Sequence, residues 1–229
     1  MRLLYLAAFI FIVCSASSQS PAVIKVKAGD DPLPSFPRGE RYLYKEFTDG
    51  YVFDMQGKPT PMAKMNFQLI SGNLEAIQQN GDTLVIDNSN DRYKNVQILS
   101  DFFQHEQTGY YRMLTRGGSV KLASKLRWMM VRRERAGDTW VSGPNTEASS
   151  WRDPKTGLMI KAEYFVYSKV MTYYLTDGKG NVDYADRSTF SKMFPAHKKE
   201  IRAFINETAI DFLNQKDLKK LLTYCSSLK

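Results

Sequence analysis

The residue types that act as bases, nucleophiles or metal ligands are sparse in this chain. Besides its acids, it offers two histidines, His105 and His197, and two cysteines, Cys14 and Cys225. A serine or cysteine nucleophile needs a histidine base beside it, and a zinc site needs three or four ligands at regular spacing. These four residues are isolated from one another in the sequence. The sequence therefore predicts no catalytic residues, no metal site and no cofactor.

A row of cations forms the most distinctive charged pattern in the chain. In residues 119–133, apolar and basic side chains alternate, which predicts a long strand with one buried and one solvent-facing side. The alternative is an exposed edge strand, on which lysine and arginine discourage pairing with other chains. We expect the basic side to contact an anionic surface through Lys121, Lys125, Arg127, Arg133 and Arg135.

Two tryptophans, Trp140 and Trp151, lie in a polar stretch at 134–158 that is rich in glycine and proline. This composition predicts a long, irregular loop. Exposed tryptophans can stack on sugar rings, so both residues are candidate glycan contacts. The alternative is that they pin the loop to the body of the protein.

These residues leave three function classes. The favoured one is a non-catalytic protein that binds a partner or supports an assembly through the basic side of the long strand. The second is a hydrolase of glycan or peptidoglycan, which would need two carboxylates about 5 to 10 Å apart in a cleft. The third is a small-ligand carrier, which would need an apolar cavity of about 300 Å³ or more inside the sheet.

The N-terminal residues predict export from the cytoplasm. Arg2 precedes an apolar run at 3–13 and then small residues, which is the pattern of a signal peptide, here residues 1–18, cleaved after Ser18. The run is too short for a bilayer span, which takes about 20 apolar residues. We therefore expect a protein of the periplasm, the outer-membrane periphery or the extracellular space. Two alternatives are a lipid anchor on Cys14, which Val13 disfavours, and an uncleaved N-terminal anchor.

The basic composition predicts an anionic partner. The chain has a net charge of +8, which favours negatively charged surfaces. For an exported protein we expect an envelope protein or an anionic envelope surface as partner, and no nucleic acid. No later stretch is long and apolar enough for a transmembrane span. Cleavage of the leader would leave Cys225 as the sole cysteine, which precludes an intramolecular disulfide.

The hydrophobic pattern divides the rest of the chain into three parts. Residues 19–40 are rich in proline and predict an extended or mobile lead-in. Residues 41–185 predict an antiparallel β-meander or partly closed barrel, because their strand-like runs are joined by turns too short for crossover helices. Residues 186–229 predict a helical segment packed on the sheet, with Cys225 on its apolar stripe. The predicted fold class is α+β.

Individual elements are predicted from the same patterns. Helices are predicted at 187–194 with Asp186 or Ser188 as cap, after Pro195, and from Asn214 onward. Strands are predicted at 51–55, 63–70, 74–78, 83–87, 95–99, 101–105, 110–115 and 119–133, followed by a hairpin of 159–167 with 170–176 and a short run at 181–184.

Four segments carry a resemblance to a known family: YLYKEFTDGYVFDMQGK from Tyr42, DFFQHE from Asp101, FPAHKKEIRAFI from Phe194 and DLKKLLTYCSSL from Asp217. In this order, after a leader, they resemble a family of small exported proteins of Bacteroidota with no assigned activity. The resemblance covers roughly residues 41–229 and departs from the family at the tryptophan-containing loop. It implies an address in a Gram-negative envelope and assigns no functional residue.

Overall fold

The computed structural model describes residues 23–86, 93–106, 109–134, 141–142, 151–152, 159–160, 164–177 and 179–228. Its architecture is α+β, with an open antiparallel sheet followed by helices that pack against one of its faces. The predicted meander with a C-terminal helical cap is confirmed, and the sheet does not close into a barrel.

Fourteen strands and four α-helices occur in the described part of the chain, with 3₁₀ turns at Arg38–Glu40 and Pro195–His197. In chain order they are β1 (Val23–Lys27), α1 (Pro32–Ser35), β2 (Thr48–Asp54), β3 (Pro59–Phe67), β4 (Leu74–Ile77), β5 (Thr83–Val85), β6 (Tyr93–Ile98), β7 (Asp101–Glu106), β8 (Gly109–Gly117), β9 (Val120–Glu134), β10 (Val141–Ser142), β11 (Trp151–Arg152), β12 (Met159–Ile160), β13 (Tyr164–Thr176), β14 (Val182–Tyr184), α2 (Arg187–Met193), α3 (Lys198–Glu207) and α4 (Gln215–Ser227).

The main sheet has the strand order β1-β13-β9-β8-β7-β6-β2-β3-β4-β5, with β10 paired to β9 and β14 paired to β13. Strands β6 to β9 are consecutive neighbours because tight turns join them. Gly118 lies in the β8–β9 turn with φ of +61°, a left-handed conformation that glycine adopts without strain. Strands β11 and β12 form a separate two-stranded ladder inside and just after the predicted loop at 134–158, most of which lies outside the described residues.

The predicted hairpin of 159–167 with 170–176 is wrong. Tyr164–Thr176 is one continuous strand that pairs with β9 along its length, and Met159–Ile160 belongs to the small ladder. The residues at the expected turn, Ser168 and Lys169, include neither the glycine nor the asparagine that a two-residue turn favours. They pair with Met129 and Trp128 instead. Because β9 is long enough to pair with these two residues as well, the chain continues as one strand and does not turn there.

The proline-rich segment, predicted to be extended or mobile, begins with an extended strand and is packed on the sheet over its described residues 23–40. Strand β1 pairs with β13 at the sheet margin. The prolines of the segment lie in the first turn of α1 and next to the 3₁₀ turn, where a missing N–H costs little. Phe36 is fully buried, with its ring centroid 5.1 Å from that of Trp128 and 5.5 Å from that of Tyr167. Residues 19–22 lie outside the described part.

Two hydrophobic cores lie against the same face of the β9–β13 ribbon. The first surrounds Trp128 and contains Phe36 and buried side chains from β2, β3, β6 and β7. The second surrounds Leu122 and Leu175 and contains the apolar sides of α2, α3 and α4. The alternation of β9 places Leu122 and Trp128 on one side, as predicted, so the other side is left without a core.

The helical cap forms as its sequence predicts. The Asp186 carboxylate accepts a hydrogen bond from the Thr189 N–H at 2.8 Å, and the Asn214 side chain accepts one from the Lys216 N–H at 2.9 Å. Cys225 is buried in the second core, and this burial raises the pKa of its thiol to about 12. The prediction that Cys225 packs in the core is confirmed.

Among the described residues, every helix falls short of the length and apolar character that crossing a bilayer takes.

Candidate functional site

The face of the sheet opposite both cores, here called the open face, carries three of the predicted anion contacts. Lys121, Lys125 and Arg127 occupy alternate positions of β9, so they project from the same side. The Lys121 Nζ donates to the Gln104 Oε1 of β7 at 2.7 Å, and the Lys125 Nζ lies over the Tyr111 ring of β8. The structure therefore brings these cations together above neighbouring strands.

Arg133 does not join them, because a β-bulge interrupts the alternation. Tyr167 pairs with Met130, whereas the preceding Val166 pairs with Arg132, so β9 contains one extra residue between the two pairs. The extra residue reverses the facing of the residues after it in the strand. Arg133 is therefore on the other face, with its guanidinium 5.6 Å from the centroid of the Phe165 ring.

Arg132 takes the place on the open face that was predicted for Arg133, but it is engaged in an ion pair with Glu134 at 2.9 Å. Arg135, the last predicted contact, lies outside the described residues. The edge-strand alternative is wrong, because β9 lies inside the sheet between β8 and β13.

Lys125 and Arg127 line a groove of about 370 Å³ on the open face, here called the basic groove. Its walls come from four strands that the sheet places side by side, β8, β9, β13 and β14. Besides the two cations, the lining includes Tyr111, Thr172, Tyr174 and Tyr184. The groove thus combines positive charge with aromatic surface.

Lys125 is half-buried, and its environment makes its charge easier to remove than that of an exposed lysine. Its Nζ lies 3.6 Å from the centroid of the Tyr111 ring, a cation–π geometry. Burial, together with the neighbouring Arg127 charge, lowers the pKa of Lys125 to about 8. Lys125 is therefore mostly protonated at neutral pH, and an anion placed beside it would favour the charged form.

Arg127 is held in place by the turn between β3 and β4. One of its guanidinium nitrogens donates to the Ile70 and Ser71 carbonyls at 3.4 and 3.3 Å. Gly72 adopts φ of +77° beside it, and a Cβ at this position would lie 3.1 Å from the Arg127 Nε. The turn therefore fixes the guanidinium on the groove wall and leaves it a net positive charge.

The tyrosines form a series of contacting rings that sequence reasoning missed. The Tyr111 ring is buried and lies edge-on to Tyr174 at 5.0 Å, and Tyr174 stacks on Tyr184 at 5.2 Å. Burial raises the pKa of Tyr174 to about 12, and Tyr184 is 64% exposed. The missed signal was the position in the strand. Thr172 and Tyr174 alternate with partly buried Tyr173 and buried Leu175 of the second core, so strand periodicity alone assigns Tyr174 to the opposite, solvent side.

A second groove of about 380 Å³ lies farther across the open face and involves Phe102, Met113 and Lys121. Phe102 pairs with Met113 and lies 5.2 Å from the Phe53 ring, and Tyr51 is two residues before Phe53 on the same side of β2. We refer to Tyr51, Phe53, Phe102 and Met113 as the aromatic patch.

Two acidic residues near the grooves, Asp183 and Glu106, have polar partners. Asp183, the acid among the basic-groove residues, forms an ion pair with Lys192 at 2.7 Å. Glu106 accepts a hydrogen bond from Gln104 at 2.7 Å, and burial raises its pKa while the Lys121 charge opposes that rise. Among the described residues that line the basic groove, Asp183 is the one carboxylate, so these residues do not form the two-carboxylate arrangement of a glycoside hydrolase.

Two further expectations concern cavities and metal ions. The enclosed space between Leu43, Phe67, Phe103 and Leu126 measures about 10 Å³, room for one water molecule rather than for a carried ligand. Among the described residues, no cluster of three or more His, Cys, Asp or Glu side chains has the arrangement of a metal site.

The structure does not describe the side chains of the two candidate glycan contacts, Trp140 and Trp151. Trp151 begins β11, where it pairs with Ile160, and its side chain is outside the described part of the chain. Trp140 lies outside it altogether.

The helical cap carries a second basic region. A wide, open groove between α2 and α3 is lined by exposed Arg187, Lys192, Lys198 and Arg202, with Asp186 at the helix start. Its lining includes no aromatic side chain, and its cations are surrounded by solvent.

No protein-family model, curated protein or solved structure matches this chain.

Proposed function

We propose that this protein is a non-catalytic, exported envelope protein that binds the anionic group of an envelope ligand in the basic groove. The observation that carries the proposal is that half-buried Lys125, whose Nζ lies over the buried Tyr111 ring, and Arg127 line the same groove. Because Lys125 and Arg127 are two residues apart on β9, their Cα atoms are about 7 Å from each other. A phosphate or carboxylate between them would contact both.

The surroundings of these cations strengthen an interaction with an anion. Partial burial of Lys125 reduces screening by water, and the turn around Ile70 and Ser71 holds Arg127 so that little side-chain freedom is lost on binding. The one acid of the groove, Asp183, is neutralised by Lys192. The cations of the cap groove are exposed, and charges in contact with water are screened and contribute little to binding.

The export component of the proposal is supported by the sequence. The leader at residues 1–18 has the pattern of a signal peptide, and the resemblance to exported Bacteroidota proteins implies an envelope address. A net charge of +8 suits a compartment whose surfaces carry phosphate and carboxylate groups.

Isothermal titration with glycerol phosphate, and with glycerol as its neutral counterpart, tests the proposal. We expect the protein to bind glycerol phosphate and not glycerol. Lys125→Gln should weaken binding by about tenfold or more, because a charge-assisted hydrogen bond is lost.

Lys199→Gln is the matched control, since Lys199 is an exposed cation of α3 that lines neither the basic groove nor the groove of the helical cap. It should bind as the wild type does. Equal affinities of wild type and Lys125→Gln for glycerol phosphate, or binding of glycerol as strong as that of glycerol phosphate, would refute the proposal.

A further inference from the structure

The aromatic patch and the groove cations belong to one continuous surface. Phe102 pairs with Met113, and Met113 pairs with Ala123 of β9, the residue between Lys121 and Lys125 on the same side. The hydrogen bond from Lys121 to Gln104 crosses the same face. Directly paired residues project from the same side of a sheet, so the open face is apolar toward β2 and basic toward β9.

Part of the apolar half of this surface is exposed. Tyr51 is 47% exposed and Phe102 is 37% exposed, while Phe53 and Met113 are half-buried. Met129, which lines the basic groove, adds an apolar side chain that is 48% exposed. Large apolar side chains that share one face of a sheet mark a contact surface more often than scattered ones do.

The charge of the surface is strongly asymmetric. The two grooves are lined by four cations, and the one acid among their lining residues, Asp183, is paired with Lys192. The cations are Lys121, Lys125, Arg127 and Arg116.

We propose that the open face docks on a lipid bilayer that contains anionic phospholipids, with the aromatic patch in the interfacial layer and a lipid phosphate in the basic groove. The inference rests on the proposed function, whose anionic group it identifies as that of a phospholipid. A small soluble anion would engage the cations and leave the aromatic patch without a role. A bilayer engages both, because aromatic side chains favour its interface and cations favour its anionic head groups.

The placement of the other elements fits this orientation. The helices and the N-terminal segment pack against the opposite face of the β9–β13 ribbon. They would remain in water while the open face contacts the lipid, so docking needs no rearrangement of either core.

Co-sedimentation with vesicles of phosphatidylcholine, prepared with and without phosphatidylglycerol, tests the docking. We expect the protein to bind the vesicles that contain phosphatidylglycerol, and binding to weaken as the ionic strength rises. Phe102→Ser should weaken vesicle binding by at least fivefold through loss of buried apolar surface. It should leave the affinity for glycerol phosphate unchanged, because Phe102 is not part of the basic groove.

Leu213→Ser is the matched control, because Leu213 is 81% exposed and lies between α3 and α4, away from the open face. It should bind vesicles as the wild type does. A Phe102→Trp variant gives a spectroscopic readout of the environment at position 102. With saturating phosphatidylglycerol vesicles its emission should shift further to the blue than that of the wild type, which has three tryptophans of its own.

The outcomes separate the two proposals. Vesicle binding that Phe102→Ser leaves unchanged, or a wild type that fails to bind phosphatidylglycerol vesicles, overturns the docking inference even if Lys125→Gln weakens the binding of glycerol phosphate. Binding of glycerol phosphate that is insensitive to Lys125→Gln overturns the proposed function itself.

Discussion

Lys125 combines a positive charge with partial burial, and this combination gives it a role that its neighbours in sequence do not share. Lys121 is bonded to Gln104, and Arg132 is paired with Glu134. Arg127 is held by carbonyl groups, which leave its charge uncompensated. Lys125 and Arg127 are the two cations that line the basic groove among the described residues.

The lowered pKa of Lys125 predicts a pH dependence of anion binding. Its protonated form is the one that binds an anion, so affinity for glycerol phosphate should be full below pH 8 and fall as the pH rises through about 8. The phosphate itself stays doubly charged in this range, because its second pKa is about 6. Titrations at several pH values measure the effect.

Lys125→Arg provides the control for this pH dependence. Arginine stays charged throughout the range, so the variant should retain its affinity above pH 8. A decline of equal size in wild type and Lys125→Arg would show that another group is responsible.

At the level of elements, alternation and turn chemistry predicted the consecutive antiparallel strands of β2–β5 and of β6–β9, the last helices and the caps of α2 and α4, but not that β6 pairs with β2. They failed where pairing between distant segments decides the local structure. The bulge that moves Arg133 to the other face arises from the register between β9 and β13, and no residue type in β9 marks it. The expected hairpin in β13 failed for the same reason, because β9 provides a continuous partner.

The N-terminal segment shows a further limit of composition. Its prolines predicted an extended or mobile lead-in without a part in the core, yet Phe36 lies in the first core against Trp128 and Tyr167. The Trp128 indole N–H also donates to the Glu40 carbonyl at 2.7 Å. A single aromatic residue among prolines was the signal that this segment packs.

Phe36→Ala should therefore destabilise the protein by about 3 to 5 kcal/mol, the usual cost of removing a fully buried phenylalanine. Chemical denaturation measures the free energy of unfolding. Leu213→Ala, a truncation at a side chain that is 81% exposed, should change it little. A change at Phe36 as small as that at Leu213 would mean that the N-terminal segment does not contribute to the core.

At the scale of the whole molecule, the two faces of the sheet have separate tasks. One face buries two cores against the N-terminal segment and the helical cap. The other is left open and carries the basic groove and the aromatic patch. The sequence predicted the division into a buried and a basic side but not the tyrosines of the groove wall, since β8, β13 and β14 meet β9 only in the folded sheet.

The helical cap offers the main competitor for an anion. Its groove between α2 and α3 is wider than the basic groove and is lined by Arg187, Lys192, Lys198 and Arg202. Its charges are exposed and screened by solvent. We therefore assign the ligand to the open face.

Heteronuclear NMR of the lysine side chains during titration with glycerol phosphate distinguishes these two regions most directly. We expect the Lys125 Cε–Hε signals to shift to saturation with the dissociation constant measured by calorimetry, while those of Lys198 and Lys199 stay in place. Saturable shifts at Lys192 and Lys198 with Lys125 unperturbed would contradict the assignment of the anion site to the open face.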